Sequence, residues 1–332
     1  MKMPEDEKEG NIRERYSNYV DLVALPATDE YGFITDKFRT TPETYSGAKV
    51  QWCMLIDSCG ADQRALRRAA KKSNLLERGI PLSLKNRIWK SLLGTGRHCA
   101  SVTSEEFQEL KETECKYEYQ IHVDVQRTFR HHFLFLNKYG KGQAELFGVL
   151  VALANYDSTI GYCQGMSDIC AVLLMYFCEK EAFDVYTSLI RRDGLRELFD
   201  SSLSKLPRVM KMQNSVFLEA IPALQRHLRA QQIDFSIHGI GWYMTLFSRF
   251  NIRLVLRIWD FLFFYGFNVL VYFAAAILKY HEAAIMEARN ESLLEIVGRL
   301  CDMAIDEDIV VSTAVKFLEQ MHYRDICDKK DY

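Results

Sequence analysis

GQAELFGVLVALANYDSTIGYCQGMSDICAVLLMY, residues 142–176, holds two apolar runs separated by a bend. The first run, Gly142 to Asp157, is apolar nearly all round, which predicts a central helix rather than a surface one. The second places Met166, Ile169, Cys170, Leu173, Leu174 and Phe177 at i, i+3, i+4, i+7 spacing, the pattern of a buried helical face. Ser167 and Asp168 fall in its first turn, where a hydroxyl or carboxylate can satisfy free amides and suits the positive helix end. Between the runs, Gln164 follows Tyr162 and Cys163 and precedes Gly165. A polar amide on a glycine-bounded bend, at the doorstep of a buried helix, is expected to point outward.

Working outward, IHVDVQRTFRHHFLFLN (residues 121–137) aligns Ile121, Val125 and Phe129 at i, i+4, i+8, which predicts another helix. His131 and His132 then belong to a helix face rather than to a metal site. A turn at KYGKG (residues 138–142) would fold this helix antiparallel to the next, with Arg127 opposite about Ala154 and Gln164 just past the hairpin's end. Residues 1–74 read as a charged tail followed by a short helical and turn-rich extension, with a helix around AKVQWCMLID. Helical periodicity then runs from Leu75 to about Gln320 with no repeat and no convincing β alternation, so the expected class is all-α.

The chain has 332 residues, is 48% hydrophobic and carries a net charge of −2, so a sizeable core is available. That charge gives no basis for a nucleic-acid surface or an anionic membrane surface. Nine cysteines without a CxxC pair fit a reduced, cytoplasmic setting, Cys163, Cys170 and Cys178 acting as small apolar residues. The start of the chain lacks the apolar stretch of a signal peptide. FLFFYGFNVLVYFAAAIL (Phe261 to Leu278) is uncharged, but Gly266 and Asn268 interrupt it. It reads as a helix end, a turn and a buried helix, not as a membrane span.

Phosphate-binding loops, nucleophile elbows and zinc-protease motifs are missing, so no nucleotide hydrolysis by the chain alone is expected. Three short patterns stand out instead: RGIPLSLKNRIW from Arg78 to Trp89, Ile121, Asp124 and Arg127 as IxxDxxR, and Tyr162 and Gln164 as YxQ. Taken singly, Arg127 reads as a solvated helix-surface charge and Gln164 as a polar loop residue. On a helical turn Asp124 neighbours Arg127, either as an ordinary solvated pair or as a support. Tyr162 either underlies the bend or is simply core. Trp89 reads as core.

In this order and glycine context, the three patterns resemble the TBC-domain family of GTPase-activating proteins for Rab GTPases. The likeness runs from about Arg78 to Ala288 and includes a WD-plus-glycine signature at Trp259, Asp260 and Gly266. The resemblance implies a helical TBC fold of two closely packed subdomains within residues 75–325. It implies that Arg127 is an arginine finger and Gln164 a glutamine finger, both supplied in trans, with Asp124, Tyr162, Gly165, Lys85 and Trp89 in support. Gln164 would orient the attacking water in place of the GTPase's own glutamine. GTP and Mg²⁺ would be carried by the GTP-bound Rab partner, leaving this chain without a cofactor and meeting endomembranes only peripherally. The first motif departs from the family's RxxxW, because Lys85 stands where the arginine belongs; Lys85 fills that role itself or Arg87 shifts into it. Since some TBC domains lack the fingers, a Rab-binding effector or adaptor is the alternative, and an unrelated helical scaffold is the remaining reading.

Overall fold

The computed structural model describes residues 12–17, 26–35, 46–60, 62–94, 102–192, 194–200 and 202–321. The charged start of the chain lies outside them. Among the described residues the structure is all-α, apart from isolated bridges between Thr28 and Ile34 and between Phe33 and His132. The helices in the first part of the chain are α1 (Ile12–Ser17), α2 (Ser46–Cys59), α3 (Gln63–Lys72), α4 (Lys85–Leu93), α5 (Ser104–Glu112), α6 (Glu118–Val125), α7 (Lys141–Tyr156), α8 (Met166–Leu174) and α9 (Glu179–Arg192). They continue as α10 (Arg196–Phe199), α11 (Leu206–Ala220), α12 (Pro222–Ala230), α13 (Phe235–Met244), α14 (Ile252–Tyr265), α15 (Leu270–Tyr280), α16 (Glu282–Glu287), α17 (Asn290–Arg299) and α18 (Glu307–Gln320).

The chain divides into two interleaved compact units, residues 1–44 with 99–188 and residues 45–98 with 189–332. In the first unit α7 is the central helix, packed by α1, α5, α6 and α8. Leu146, Val149, Leu150, Val151 and Leu153 are all buried along it, as its all-round apolar sequence requires. Each such side chain stabilises the unit by roughly 1.5–3 kcal/mol relative to exposure. Close approach is built in at Gly142, where a Cβ would lie 2.1 Å from the Leu134 carbonyl oxygen. The α5 start is fixed by a capping box between Thr103 and Glu106.

The second unit has its core where α14 meets α4, with Trp89 stacked on Phe263 at 4.7 Å and Trp259 beside both. The uncharged stretch after Asp260 resolves as expected. α14 ends at Tyr265, Gly266 turns the chain at φ +88°, and a 3₁₀ turn leads into the buried α15. No helix among the described residues is long and apolar enough to cross a membrane.

Four local expectations are corrected. The helix through Ile121 stops at Val125: Arg127 N–H donates to the Asp124 carbonyl, tightening the last turn, while the Thr128 hydroxyl donates to the same oxygen at 2.7 Å. Phe129 and Tyr139 then take positive φ, so the chain follows an irregular path of about 15 residues rather than a simple hairpin turn. His132 is accordingly not on a helix face but buried at the bridge to Phe33. Cys178 is exposed, unlike the buried Cys170.

Candidate functional site

The two stretches singled out by spacing meet in the first unit. Arg127 emerges just past the α6 C-terminus, and its guanidinium pairs with Asp124 at 2.6 Å. The exposures differ sharply: the Arg127 side chain is 58% exposed, that of Asp124 only 6%. The second Asp124 oxygen accepts a hydrogen bond from the Tyr162 hydroxyl at 2.5 Å. A buried carboxylate thus holds the arginine of one motif with one oxygen and the tyrosine of the other motif with its second. Burial, and then the bond to Asp124, push the Tyr162 hydroxyl well above its ordinary pKa, so it stays protonated and remains a donor.

Gln164 follows two residues later and is exposed. The bend that presents it is held at both ends. Before it, the Ile160 and Gly161 amides donate to the Asp157 carbonyl at 3.1 and 2.8 Å. Gly161 takes φ +65°, and a Cβ there would sit 2.2 Å from the Tyr117 ring at the start of α6. After it, Gly165 takes φ +103° and leads into α8. Gly165 stands at the α8 N-cap and so offers no side-chain cap, and Ser167 in the first turn is buried. Asp168 keeps its place in the first turn.

Chemically, the unit presents a cation and an exposed neutral amide whose segments are tied through one carboxylate, by way of the Arg127 and Tyr162 side chains. A guanidinium keeps its charge and offers a planar fork of donors to anionic oxygens. An amide can accept from a water while donating to an anion. No group of three metal-ligating side chains occurs among the described residues.

Lys85 and Trp89 serve in the second unit. Lys85 Nζ lies 2.8 and 3.0 Å from the two Asp260 carboxylate oxygens, and both side chains are almost fully buried. Trp89 Nε1 donates to Asp260 at 2.8 Å and the Ile80 amide donates to it at 3.1 Å. Burial lowers the Lys85 pKa, and the Asp260 charge opposes that effect. Lys85 fills the motif position itself, since Arg87 is exposed and paired with Asp57 at 2.8 Å. The partnership with Asp260 is absent from the sequence reading. Its signal is a lone carboxylate inside the apolar run IWDFLFF, which must find a cation or hydrogen-bond donors if it is buried.

Also missed is the set of polar groups beside Arg127. Gln126 Nε2 donates to the buried Gln143 Oε1 at 2.9 Å and lies 3.1 Å from the Tyr16 hydroxyl. Gln143 in turn accepts from the Tyr139 amide and donates to the Phe135 carbonyl, which spans the irregular path after α6. Gln143 sits in α7, among side chains that are almost all buried and apolar, and that placement is its only signal in sequence.

The Rab-GTPase-TBC domain family model matches residues 82–286. Curated relatives include a TBC domain-containing protein of Schizosaccharomyces pombe, 35% identical over 57% of this chain and 45% of that protein. Another is the Rab GTPase-activating protein tbc-11 of Caenorhabditis elegans, 31% identical over 68% of this chain and 24% of that protein. The chain thus spans less than half the length of either relative. Among solved structures, the TBC domain of a Chlamydomonas flagellar RabGAP aligns over 87% of this chain and 99% of its own, with TM-score 0.64 and 23% identity. The Ypt/Rab-GAP domain of Gyp1p aligns over 83% and 99%, with TM-score 0.62 and 19% identity. At those identities the likeness is one of fold. With a family match over more than half its length, on motifs that the fold assembles as described, the chain belongs to the Rab-GTPase-TBC domain family.

Proposed function

We propose that this chain is a GTPase-activating protein for a Rab-type small GTPase in its GTP-bound state. Arg127 enters the Rab nucleotide site as an arginine finger and neutralises charge that builds on the phosphoryl oxygens. Gln164 enters beside it and orients the attacking water. Donors inserted in trans at such a site are worth about 10³ to 10⁵ in rate. The nucleotide and Mg²⁺ belong to the Rab, so this chain contributes side chains and no cofactor. The groups that enter the Rab site lie within residues 75–325, and membrane encounter is peripheral, through the Rab.

The observation that carries the reading is the Arg127–Asp124–Tyr162 chain. Asp124 withdraws one face of the guanidinium from water while the rest stays exposed, and Tyr162 ties the Gln164 bend to the same carboxylate. Holding two groups in fixed relation lowers the entropic cost of reaching the reactive geometry. A chain that only binds a Rab needs neither exposed group.

Single-turnover GTP hydrolysis across a panel of Rabs tests this. At least one Rab is accelerated, with Arg127→Ala lowering the saturating rate about 10³-fold. Gln164→Ala lowers it about 10²- to 10³-fold. Tight Rab binding with unchanged hydrolysis across the panel would instead identify an adaptor.

A further inference from the structure

The path that carries Arg127 is gripped by residues well ahead of the matched domain span. On one side α1 inserts Tyr16, which is buried and stacked on Phe147 with ring centroids 4.4 Å apart. Its hydroxyl lies 3.0 Å from His122 Nδ1 and 3.1 Å from Gln126 Nε2, the side chain next to Arg127. Arg13, one turn earlier, donates to the Lys111 and Glu112 carbonyls and pairs with Glu118 at 2.6 Å, anchoring α1 to the end of α5 and the start of α6.

On the other side, residues 28–35 form a turn laid against residues 129–133. The Phe133 amide donates to the Gly32 carbonyl at 2.9 Å and the Ile34 amide to the His131 carbonyl at 2.8 Å. Phe33 packs edge-on to His132 and Phe129 at 5.0 and 6.1 Å. The contact leaves no room: Gly32 has φ +89°, and a Cβ there would lie 2.5 Å from His132 Nε2 and 2.8 Å from the Phe133 ring. That His132 nitrogen donates to the Tyr31 carbonyl at 3.0 Å. Within residues 126–133 regular helix is absent and Phe129 takes positive φ, so this path lacks a helical hydrogen-bond ladder to hold it.

We infer that Tyr16 and the turn at residues 28–35 set the conformation of the Arg127-bearing path, acting as positioning residues that lie ahead of the family-matched domain. Their part in catalysis rests on the function proposed above; their grip on the path does not.

The test uses the full chain with Gly32→Val, which forces the turn off residues 132 and 133, and Tyr16→Phe, which keeps the ring and removes the hydroxyl. Hydrogen exchange at amides 127–133 is read beside the saturating rate and the half-saturating concentration of Rab hydrolysis. Gly32→Val speeds exchange at these amides while α8 amides stay as in the parent. It lowers the saturating rate about tenfold to a hundredfold, with half-saturation within about twofold. Tyr16→Phe gives a smaller change in the same direction, and it decides the matter if Gly32→Val unfolds the chain. Unchanged exchange at 127–133, or a loss confined to half-saturation, overturns the inference. If the parent chain accelerates no Rab, the functional reading fails and exchange alone decides the inference.

Discussion

Asp124 has only two carboxylate oxygens, and both are committed: one to Arg127, one to Tyr162. Asp124→Ala therefore frees the guanidinium to sample many rotamers and leaves the buried Tyr162 hydroxyl without this acceptor. A saturating hydrolysis rate lowered about tenfold to a hundredfold is expected in single-turnover assays. Urea denaturation should report a stability loss of about 1–3 kcal/mol. Tyr162→Phe removes a hydroxyl but leaves the ion pair, so its rate effect is smaller than that of Asp124→Ala. Arg127, Gln164 and Asp124 are legible in the sequence because their spacing survives without any knowledge of packing. Which oxygen of Asp124 holds what is not legible, since it depends on how the bend after Ile160 lies against α6.

At the scale of elements, α4 and α14 are joined through a buried ion pair, and burying two charges costs more than most contacts return. Lys85→Met leaves Asp260 charged and short of its cation, so it should destabilise the protein by about 3–5 kcal/mol in urea or thermal unfolding. Arg87→Met, which removes an exposed pair, costs about 0–1 kcal/mol. The bridge segment carries a pH response. His132 Nε2 donates to the Tyr31 carbonyl while Nδ1 accepts from the Leu134 amide at 3.3 Å, so the neutral ring is the form that fits. Burial lowers its pKa to about 4 from the usual 6.5, against the opposing bond to Tyr31 and charge of Asp29. The unfolded chain therefore binds more protons between these values, and the contribution is fully present above pH 6.5. It is lost as pH falls toward 4. Thermal unfolding from pH 7 to 4 checks this, and His132→Gln removes that share of the slope. Periodicity predicts α7, α8, α14 and α15 well because each is apolar over several turns. It fails between Gln126 and Gly140, where Phe129 keeps a helical spacing but side-chain bonds from Thr128 and Gln143 divert the backbone.

For the whole molecule, the sequence conveys an all-α class but not the interleaving of two units, because a unit assembled from separated segments leaves no mark on local periodicity. Arg127, Asp124, Tyr162 and Gln164 all fall in one unit and the Lys85–Asp260 pair in the other, so the two can be perturbed separately. In the proposed reaction this chain supplies the glutamine as well as the arginine. Single-turnover hydrolysis with an accelerated Rab whose own water-orienting glutamine is replaced by alanine tests that. The parent chain is expected still to accelerate this Rab, whereas Gln164→Ala does not. Acceleration that vanishes with the Rab's own glutamine, or persists undiminished in Gln164→Ala, would contradict it.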